Sequence, residues 1–337
     1  MPAASHRGPR LAAAALLCAA YAEARRRVLR RAIARAERIG PQWLGTATCG
    51  VLEALSGLLG VRQASDVRMA PLDAGRPHIV VWHPHGFIAW SATFVLPKYA
   101  NRGWPAGVWQ AGIAPALFMI PVISELLMVC NGRPCDRGTL RSYLERGWSI
   151  GLTPGGVREQ LGTTADQEQA IFPAGLGFVR LALQYGRDLV PCYVFNENQM
   201  FDRVEGFDWA SRALRRATGL GVPIVRGRFG IPQLLLPKKT DVHVRWGVPV
   251  RIERDASPSD EKVEALFQAY MGHLRDLFDT FAYECLPPQV AARGLKITRM
   301  DGGHVPPQRP LVAPARPTDP NRYGMLQPSA TPPMSRL

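Results

Sequence analysis

The stretch that decides the fold is His78-Ile79-Val80-Val81-Trp82, which runs directly into His83-Pro84-His85-Gly86. The first five residues are largely apolar and rich in β-branched side chains, which indicates a buried strand, and the proline and glycine that follow indicate a tight turn. The strand holds such a turn rigidly, while the turn exposes its side chains to a cleft. We therefore expect two histidines fixed at the edge of a sheet.

Two further segments repeat this arrangement. Trp148 to Leu152 leads into Pro154-Gly155-Gly156, and Leu189 to Phe195 leads into Asn196-Glu197-Asn198. Apolar spacing predicts helices over 178–185 and 263–281, the second with Ser257 as its N-cap. Strands that alternate with helices predict an α/β fold, a central sheet flanked by helices, and the polar groups that follow the strands should meet at one edge.

The net charge of +14 over 337 residues lies almost entirely at the two ends of the chain. Residues 1–45 carry an excess of seven basic residues and residues 286–337 an excess of five, which leaves about +2 for the rest. A nucleic-acid-binding domain would carry a basic stripe of its own to neutralise phosphates, so no nucleic-acid partner is expected. Basic ends instead fit contact with an anionic membrane surface.

Residues 1–65 are predicted to form a membrane-associating arm. Leu11 to Tyr21 is an apolar run too short to span a bilayer, and a basic helical pattern follows it. In that pattern Leu29 and Ile33 lie opposite Arg27 and Arg31, which is typical of an interfacial membrane anchor. An organelle transit peptide and a solvated helix are the alternatives.

The rest of the chain divides at residue 286. Residues 66–286 are predicted to form the α/β domain. Eleven of the thirty prolines lie in residues 287–337, which show little apolar periodicity, so a disordered tail is predicted there. The six cysteines include no Cys-x-x-Cys pair, which argues against a zinc site and against a disulfide framework.

His83 and His85 are the candidate catalytic pair. Imidazole titrates close to neutrality, so it can take a proton from an alcohol that attacks a thioester. Gly86 would let a substrate approach the backbone closely, or would supply a positive φ. A hydrogen-bonded turn histidine without a catalytic role is the alternative, and a metal site would lack an obvious third ligand.

Gly155 and Gly156 form a second candidate site, because adjacent glycines leave backbone N–H groups free to hold an oxyanion or a phosphate. Glu159 could orient an imidazole, and Arg158 could pair with a phosphate group. The alternative is an ordinary turn that leads into a helix whose first turn carries a carboxylate.

Arg137, Glu197 and Asn198 also follow apolar segments. Each fits a solvated loop when it is considered alone. They become candidates for substrate binding because one sheet would bring them to the same edge as the histidines.

The order of these motifs resembles that of the diacylglycerol and monoacylglycerol acyltransferase family of the second type, over about residues 75–285. The corresponding blocks are His83–Gly86, Pro121–Glu125 with Gly132–Arg137, Gly155–Glu159, and Gly177-Phe178-Val179 through Leu189-Val190-Pro191. Four motifs in the same order form a strong signal, although each motif is weak by itself.

The resemblance implies an acyl-CoA-dependent O-acyltransferase of neutral lipid synthesis, which converts diacylglycerol to triacylglycerol at the endoplasmic reticulum membrane or a lipid droplet. Monoacylglycerol or a wax alcohol is the alternative acceptor. A non-catalytic lipid-binding protein with the same fold is the alternative class. Acyl-CoA is then a substrate, and no cofactor or metal is expected. Plastid targeting remains open through the transit-peptide alternative.

The resemblance also implies a central sheet like that of glycerophosphate acyltransferases, whose His-x-x-x-x-Asp motif is matched here only in its histidine. Trp90 stands in the position of the aspartate. We therefore expect His85 to be the general base, His83 to position it and Glu159 to supply the orienting carboxylate. The residues expected at the substrate are Gly86, Arg137, Gly155, Gly156, Arg158, Glu197 and Asn198.

The chain departs from the family pattern in three places. Asn196 stands where the family has a glycine, and Leu176 stands where it has a basic residue. These two changes could alter contacts with the acceptor or with coenzyme A. The hydrophobic hairpin typical of the family's N-terminus is shortened to two apolar stretches, residues 11–21 and 51–61.

Overall fold

The computed structural model describes residues 7–35, 40–70, 73, 75–103 and 107–313. The chain divides into two compact units, residues 1–39 and residues 40–337. In the first unit the apolar run and the basic pattern form one continuous helix, α1 (Arg7–Arg35), since alanine and arginine are both strong helix formers. No helix in the described ranges has both the length and the apolar character to cross a membrane. Membrane contact by the arm stays a prediction.

The second unit is built around a mixed sheet of seven strands. In chain order they are β1 (Val61–Arg68), β2 (His78–His83), β3 (Trp109–Ile113), β4 (Gly132–Pro134), β5 (Ser149–Leu152), β7 (Asp188–Phe195) and β10 (Thr240–Trp246). Their order across the sheet is β1-β10-β7-β2-β5-β3-β4. The predicted α/β fold with a central sheet flanked by helices is confirmed.

Five neighbouring strands of this sheet run in the same direction. Strands β7, β2, β5, β3 and β4 are parallel, whereas β10 is antiparallel to β7 and parallel to β1. The carboxyl ends of the five parallel strands therefore lie at one edge. The predicted meeting of the turns that follow β2, β5 and β7 is confirmed, because these three strands are immediate neighbours.

The helices of the second unit are α2 (Gln42–Leu58), α3 (Trp90–Phe94), α4 (Leu96–Arg102), α5 (Ile123–Val129), α6 (Arg137–Glu145), α7 (Gly156–Gly162), α8 (Gly177–Tyr185), α9 (Asp208–Thr218), α10 (Asp260–Cys285) and α11 (Pro288–Ala291). Two short 3₁₀ helices span Pro115–Met119 and Asn198–Met200. The small strands β6 (Gln169–Phe172) and β11 (Lys296–Arg299) pair with each other, as do β8 (Asp202–Arg203) and β9 (Val225–Arg226).

Helix α10 begins two residues later than its predicted N-cap implies. Ser259, not Ser257, caps the helix, and its hydroxyl accepts a hydrogen bond from the N–H of Lys262 at 3.3 Å. The N–H of Ser257 instead donates to the Asp255 carboxylate at 3.1 Å, so the earlier serine belongs to a turn. Two acidic residues in the first turn after Ser259 complement the helix dipole.

The two faces of the sheet are covered by different layers. The apolar face of α10 packs on β7, β10 and α8. Around it lie aromatic side chains in mutual edge-to-face and stacked contact, among them Phe172, Phe178, Phe267 and Tyr270. The opposite face holds a second apolar cluster that includes Val80, Trp82 and Trp246, next to α2, α3 and α4.

The predicted disordered tail is wrong for its first part. After α10 the chain forms α11 and then β11, which pairs in parallel with β6. Leu295 and Ile297 are buried, and the N–H of Leu311 donates to the carbonyl of Ala292. A short strand needs few apolar residues of its own to pair with an existing strand. The proline-rich composition of residues 287–337 therefore did not indicate β11. Residues 314–337 lie outside the described residues.

The predicted boundary between the arm and the α/β domain, after residue 65, also lies too late in the chain. Strand β1 begins at Val61 and pairs with β10, so residues 61–65 belong to the sheet. Helix α2 packs against α4 and β1 within the same unit. The amino-terminal helix α1 is thus the only described part of the predicted arm that lies outside the second unit.

Candidate active site

The histidine turn follows the central strand β2, and its immediate neighbours across the sheet supply the other groups. Strand β5 leads into Gly155 and helix α7, which carries Glu159, and β7 leads into Glu197. Arg137 follows the edge strand β4, three strand spacings or about 14 Å from β2. The sheet therefore brings Glu159 and Glu197 to the histidines but leaves Arg137 at the far end of the same edge.

The carboxylate of Glu159 is fully buried and holds the histidine turn from beneath. Its Oε1 accepts a hydrogen bond from the backbone N–H of His85 at 2.7 Å, and its Oε2 accepts one from Ile171 at 2.9 Å. The Nδ1 of His83 lies 3.3 and 3.4 Å from the two oxygens. Three donors thus converge on one sealed carboxylate, which fixes the path of the turn.

His83 is sealed in the core on the side of α10. Its ring is fully buried and meets the edge of Phe172 at a centroid distance of 5.1 Å. The hydrogen bond to the Glu159 carboxylate requires a proton on Nδ1, so it leaves the other ring nitrogen, Nε2, for a different partner. That Nε2 is buried without a hydrogen-bond partner among the described residues.

His85 is the more accessible histidine of the turn. Its side chain is half-buried, and its Nδ1 lies 3.4 Å from the carbonyl oxygen of Gly86. Burial lowers the pKa of His85, and the negative charge of Glu159 opposes that shift only in part. The imidazole is therefore neutral at pH 7 and able to accept a proton.

The predicted contact between Glu159 and the His85 ring is corrected by these distances. Glu159 reaches the main chain of His85 and the ring of His83, not the ring of His85. Trp90, which stands in the position of the missing aspartate, is buried and donates its indole N–H to the hydroxyl of Ser56 at 2.9 Å. Its side chain packs in the apolar cluster on the opposite face of the sheet, so it does not supply the missing carboxylate.

A second buried carboxylate, Glu197, lies against Gly86. Gly86 has φ of +69°, and a Cβ at this position would overlap the Glu197 side chain, so both the backbone angle and the space require glycine. Glu197 accepts hydrogen bonds from the N–H of Ser91, at 3.1 Å, and from its hydroxyl. Burial raises the pKa of Glu197 to about 7, against the effect of the Ser91 bonds.

A third buried carboxylate, Glu168, supports the loop that carries Glu197. It accepts hydrogen bonds from the Tyr193 hydroxyl at 2.6 Å, from Asn198 Nδ2 at 2.9 Å and from Gln199 Nε2 at 2.9 Å. Burial raises the pKa of Glu168. Sequence reasoning missed Glu168, because residues 164–169 are a polar stretch typical of a solvated loop. It also missed Ser91, a single serine after the histidine turn that belongs to no motif.

Two of the predicted substrate-binding residues thus form hydrogen bonds with other groups of the protein. Glu197 and Asn198 are both buried, and their hydrogen bonds hold the histidine turn and the loop after β7. Asn196, the departure from the family glycine, has φ of +69°, which asparagine tolerates better than most residues. Its Nδ2 donates to the carbonyls of Asp241 and Cys285.

Gly155 and Gly156 have different roles in the second turn. Gly155 lies against Glu159 and the backbone of Ile171, where a Cβ would overlap both. The N–H of Gly156 donates to the carbonyl of Thr153 at 3.1 Å, so it is used within the turn. The N–H of Gly155 has no hydrogen-bond partner among the described residues, and it is the amide that could hold an oxyanion.

Arg158 and Arg137 are exposed, and neither has an ion-pair partner in the described parts of the chain. Arg158 stands on α7 one residue before Glu159, which makes it the nearer of the two to the histidines. No group of three or more histidine, cysteine or acidic side chains in the described ranges is arranged to hold a metal.

A family model and individual relatives both match this chain to acylglycerol acyltransferases. The family model for diacylglycerol acyltransferase matches residues 64–288. Diacylglycerol O-acyltransferase 2A of Umbelopsis ramanniana is 26% identical over 241 residues, which cover 66% of this chain and 67% of that one. The 2-acylglycerol O-acyltransferase 1 of Bos taurus is 28% identical over 221 residues, covering 62% and 66%.

A further relative is diacylglycerol O-acyltransferase 2 of Dictyostelium discoideum, 28% identical over 225 residues that cover 63% of this chain and 68% of that one. Among solved structures, the 1-acyl-sn-glycerophosphate (LPA) acyltransferase PlsC of Thermotoga maritima matches with a TM-score of 0.39 and 13% identity. The match covers 69% of this chain and 79% of that one, a similarity from which no residue equivalences follow.

Proposed function

The chain belongs to the diacylglycerol acyltransferase family, and from this premise we propose that it transfers a fatty acyl group from acyl-CoA to the free hydroxyl of diacylglycerol, forming triacylglycerol. The observation that carries the proposal is the neutral, half-buried imidazole of His85, whose main chain is held by the sealed Glu159 carboxylate. Relatives named diacylglycerol O-acyltransferase support the choice of acceptor.

His85 acts in this proposal as the general base. As the acceptor oxygen attacks the thioester carbonyl, its proton moves to the imidazole, and the buried negative charge of Glu159 stabilises the imidazolium that forms. Collapse of the tetrahedral intermediate breaks the carbon–sulfur bond and completes the new ester bond. The proton then passes from His85 to the thiolate sulfur of coenzyme A. His83 positions this turn through its contact with Glu159.

Main-chain and basic groups around the turn would serve the other parts of the substrate. The free N–H of Gly155 is placed after β5, beside β2, where it could stabilise the oxyanion of the intermediate. Arg158 would contact a phosphate group of coenzyme A, with Arg137 farther along the same edge. Gly86, Gly156, Glu197 and Asn198 would shape the turns rather than touch the substrate.

A second acceptor, monoacylglycerol, should be tested in the same assay. Relatives named 2-acylglycerol O-acyltransferase match at 28% identity, no lower than the diacylglycerol enzymes. Monoacylglycerol is therefore the alternative acceptor, for the same chemistry at the same histidine.

We further propose that α1 lies on a membrane surface, at the endoplasmic reticulum or a lipid droplet, with plastid targeting as the alternative. The support is its sequence, in which an apolar, alanine-rich half is followed by an arginine-rich half. Helix α2 would be a separate membrane contact, because Trp43, Val51 and Leu58 on it are exposed.

The test uses membranes that contain the full chain, labelled acyl-CoA and a panel of diacylglycerol, monoacylglycerol and a fatty alcohol. We expect labelled triacylglycerol, and a loss of about 10³-fold for His85→Ala. His304→Ala removes an exposed histidine and should retain full activity. Full activity of His85→Ala at normal protein levels would refute the assignment, and a product formed only from monoacylglycerol would replace the acceptor.

A further inference from the structure

Between β7 and β10 the chain makes an excursion that we call the outer lobe, residues 202–239. Strands β8 and β9 pair at its base, and helix α9 connects them. The lobe packs on α7, where Gly221 lies directly against Val157, and Arg203 donates to the carbonyl of Leu161. Because β7 ends and β10 begins at the edge that carries the histidine turn, the outer lobe stands beside the candidate active site.

Helix α9 is amphipathic, and its apolar face is largely exposed. Trp209 is 64% exposed and Leu214 is 41% exposed. Helical spacing places them on one face, with three alanines, Ala210, Ala213 and Ala217. Arg212, Arg215 and Arg216, all exposed, flank this face, and Arg216, seven residues after Trp209, lies next to it on the helix.

The loop after β9 adds a second set of outward apolar side chains. They are Phe229, Ile231, Leu234 and Leu235, each exposed by 44% or more. Backbone hydrogen bonds hold this loop in place, from Gln233 to Val225 at 2.8 Å and from Arg228 to Leu236 at 3.0 Å. The apolar side chains are therefore presented outward by an ordered backbone rather than by a loose loop.

The charges of the outer lobe identify the kind of partner. The three arginines of α9 have no ion-pair partner among the described residues, and the one acidic residue of the helix, Asp208, is paired with Arg203 at 3.5 Å. Exposed arginines beside exposed tryptophan, phenylalanine and leucine side chains match the two layers of a bilayer interface, anionic head groups and acyl chains.

Other occupants fit this surface less well. The carboxyl-terminal residues 314–337 hold three arginines and one aspartate, so their net positive charge repels the exposed arginines of α9. A second copy of the chain would bring two sets of the same arginines together. We propose that the outer lobe binds the surface of a membrane that contains anionic phospholipids, and holds the active-site edge next to the bilayer.

This surface goes beyond the proposed acyl transfer, which it would serve by placing the site where lipid acceptors reside. Binding to vesicles requires no turnover. A protein that binds vesicles through the lobe without acyl transfer would refute the proposed function alone. A protein that transfers acyl groups without this contact would refute the lobe proposal alone.

The first experiment measures sedimentation of the full chain with vesicles of phosphatidylcholine, with and without phosphatidylserine. Arg212→Ala, Arg215→Ala and Arg216→Ala together should lower partitioning onto the anionic vesicles at least about tenfold. Alanine keeps α9 helical. The matched control removes three exposed basic residues outside the lobe, Arg62, Lys262 and Lys296, and should change partitioning by less than about twofold, because distant charges are screened.

The second experiment locates the contact and does not depend on the arm. Phospholipids brominated in the acyl chains quench tryptophan fluorescence only at short range. Because Trp43 on α2 is also exposed, the measurement uses a Trp43→Phe background. In that background Trp209→Phe should remove most of the remaining quenching while binding is retained, since phenylalanine is also apolar. Trp148→Phe, which changes a tryptophan just before β5 at the opposite edge of the sheet, should leave the quenching unchanged.

Three outcomes would overturn the proposal. The arginine triple variant could bind no more weakly than its control. The quenching could persist in Trp209→Phe. The wild-type chain could form a dimer that the lobe variants abolish, which would assign the surface to a second copy. Thermal unfolding at the wild-type temperature verifies that each variant is folded.

Discussion

The histidine turn and the outer lobe lie at the same edge of one sheet, yet they are built in opposite ways. In the turn, two backbone N–H groups and one imidazole meet the fully buried Glu159, and Gly86 leaves no space for a side chain. In the lobe, Trp209 and Phe229 stand more than 60% exposed on an ordered backbone.

This difference separates two requirements of a lipid enzyme. Transfer of a proton needs a base held to within a few tenths of an ångström, which buried carboxylates provide because each donor has only one place to bind. Contact with a bilayer needs apolar and basic groups that are left free. Substitutions in the turn should therefore alter folding and catalysis, and substitutions in the lobe should alter membrane binding without altering folding.

The largest effect is expected from Glu159→Gln. The glutamine amide has one oxygen, which cannot accept the three hydrogen bonds that Glu159 accepts. At least one buried donor therefore loses its acceptor, which should lower the free energy of unfolding by about 2–3 kcal/mol.

The same change should lower acyl transfer about 10²-fold. It also removes the charge that raises the pKa of His85, so the acid limb of the pH–rate profile should move to lower pH. A merely structural carboxylate would leave the limb in place. Glu205→Gln, in the lobe, is the exposed control.

Gly86→Ala tests the space beside Glu197. The positive φ costs about 1–2 kcal/mol for any other residue, and overlap with the Glu197 side chain adds about 1–3 kcal/mol. Gly206, at the start of the lobe, has φ of +84° with nothing within 4 Å of a Cβ, so Gly206→Ala should show the first cost only. Equal losses in urea unfolding for the two variants would show that Glu197 does not restrict this turn.

Glu197 should make the stability of the folded protein depend on pH. Burial raises its pKa from an ordinary value of 4.5 to about 7, so folding takes up a proton between these values. Stability from this group is complete below 4.5 and is lost as pH rises through 7, by up to about 3 kcal/mol.

Glu197→Gln should abolish this dependence, because an amide oxygen can still accept the Ser91 hydrogen bonds without taking up a proton. Free energies of unfolding measured across pH 4.5 to 7 give the comparison. His85 titrates in both proteins, so its contribution cancels in the difference. Parallel curves for the two proteins would contradict the prediction.

The smallest effect is expected in the lobe. Leu214→Ser replaces an exposed apolar side chain and should change the free energy of unfolding by less than about 0.5 kcal/mol. Leu274→Ser, on the buried face of α10, should cost more than about 3 kcal/mol. A large loss at Leu214 would mean that the lobe packs against another part of the chain.

The sequence by itself determined the local parts of this protein. Short, largely apolar runs that lead into turns with proline and glycine specify β2 and β5, and the helical spacing of apolar residues specifies α8 and α10. These patterns also placed the histidine turn and Glu159 at strand ends, because backbone preferences and alternating polarity act between near neighbours. The family resemblance rests on the same local motifs.

Only the tertiary structure decided which groups meet. Ser91 and Glu197 are 106 positions apart, and His83 and Glu159 are 76 apart. No local sequence pattern predicts such pairs, because they depend on the order of strands in the sheet. The strand β11 and the outward face of α9 were equally hidden, since pairing with β6 and the lack of a covering layer are properties of the whole packing. Local sequence therefore determined the elements and the candidate reactive residues, and long-range packing decided which histidine is sealed and which is open.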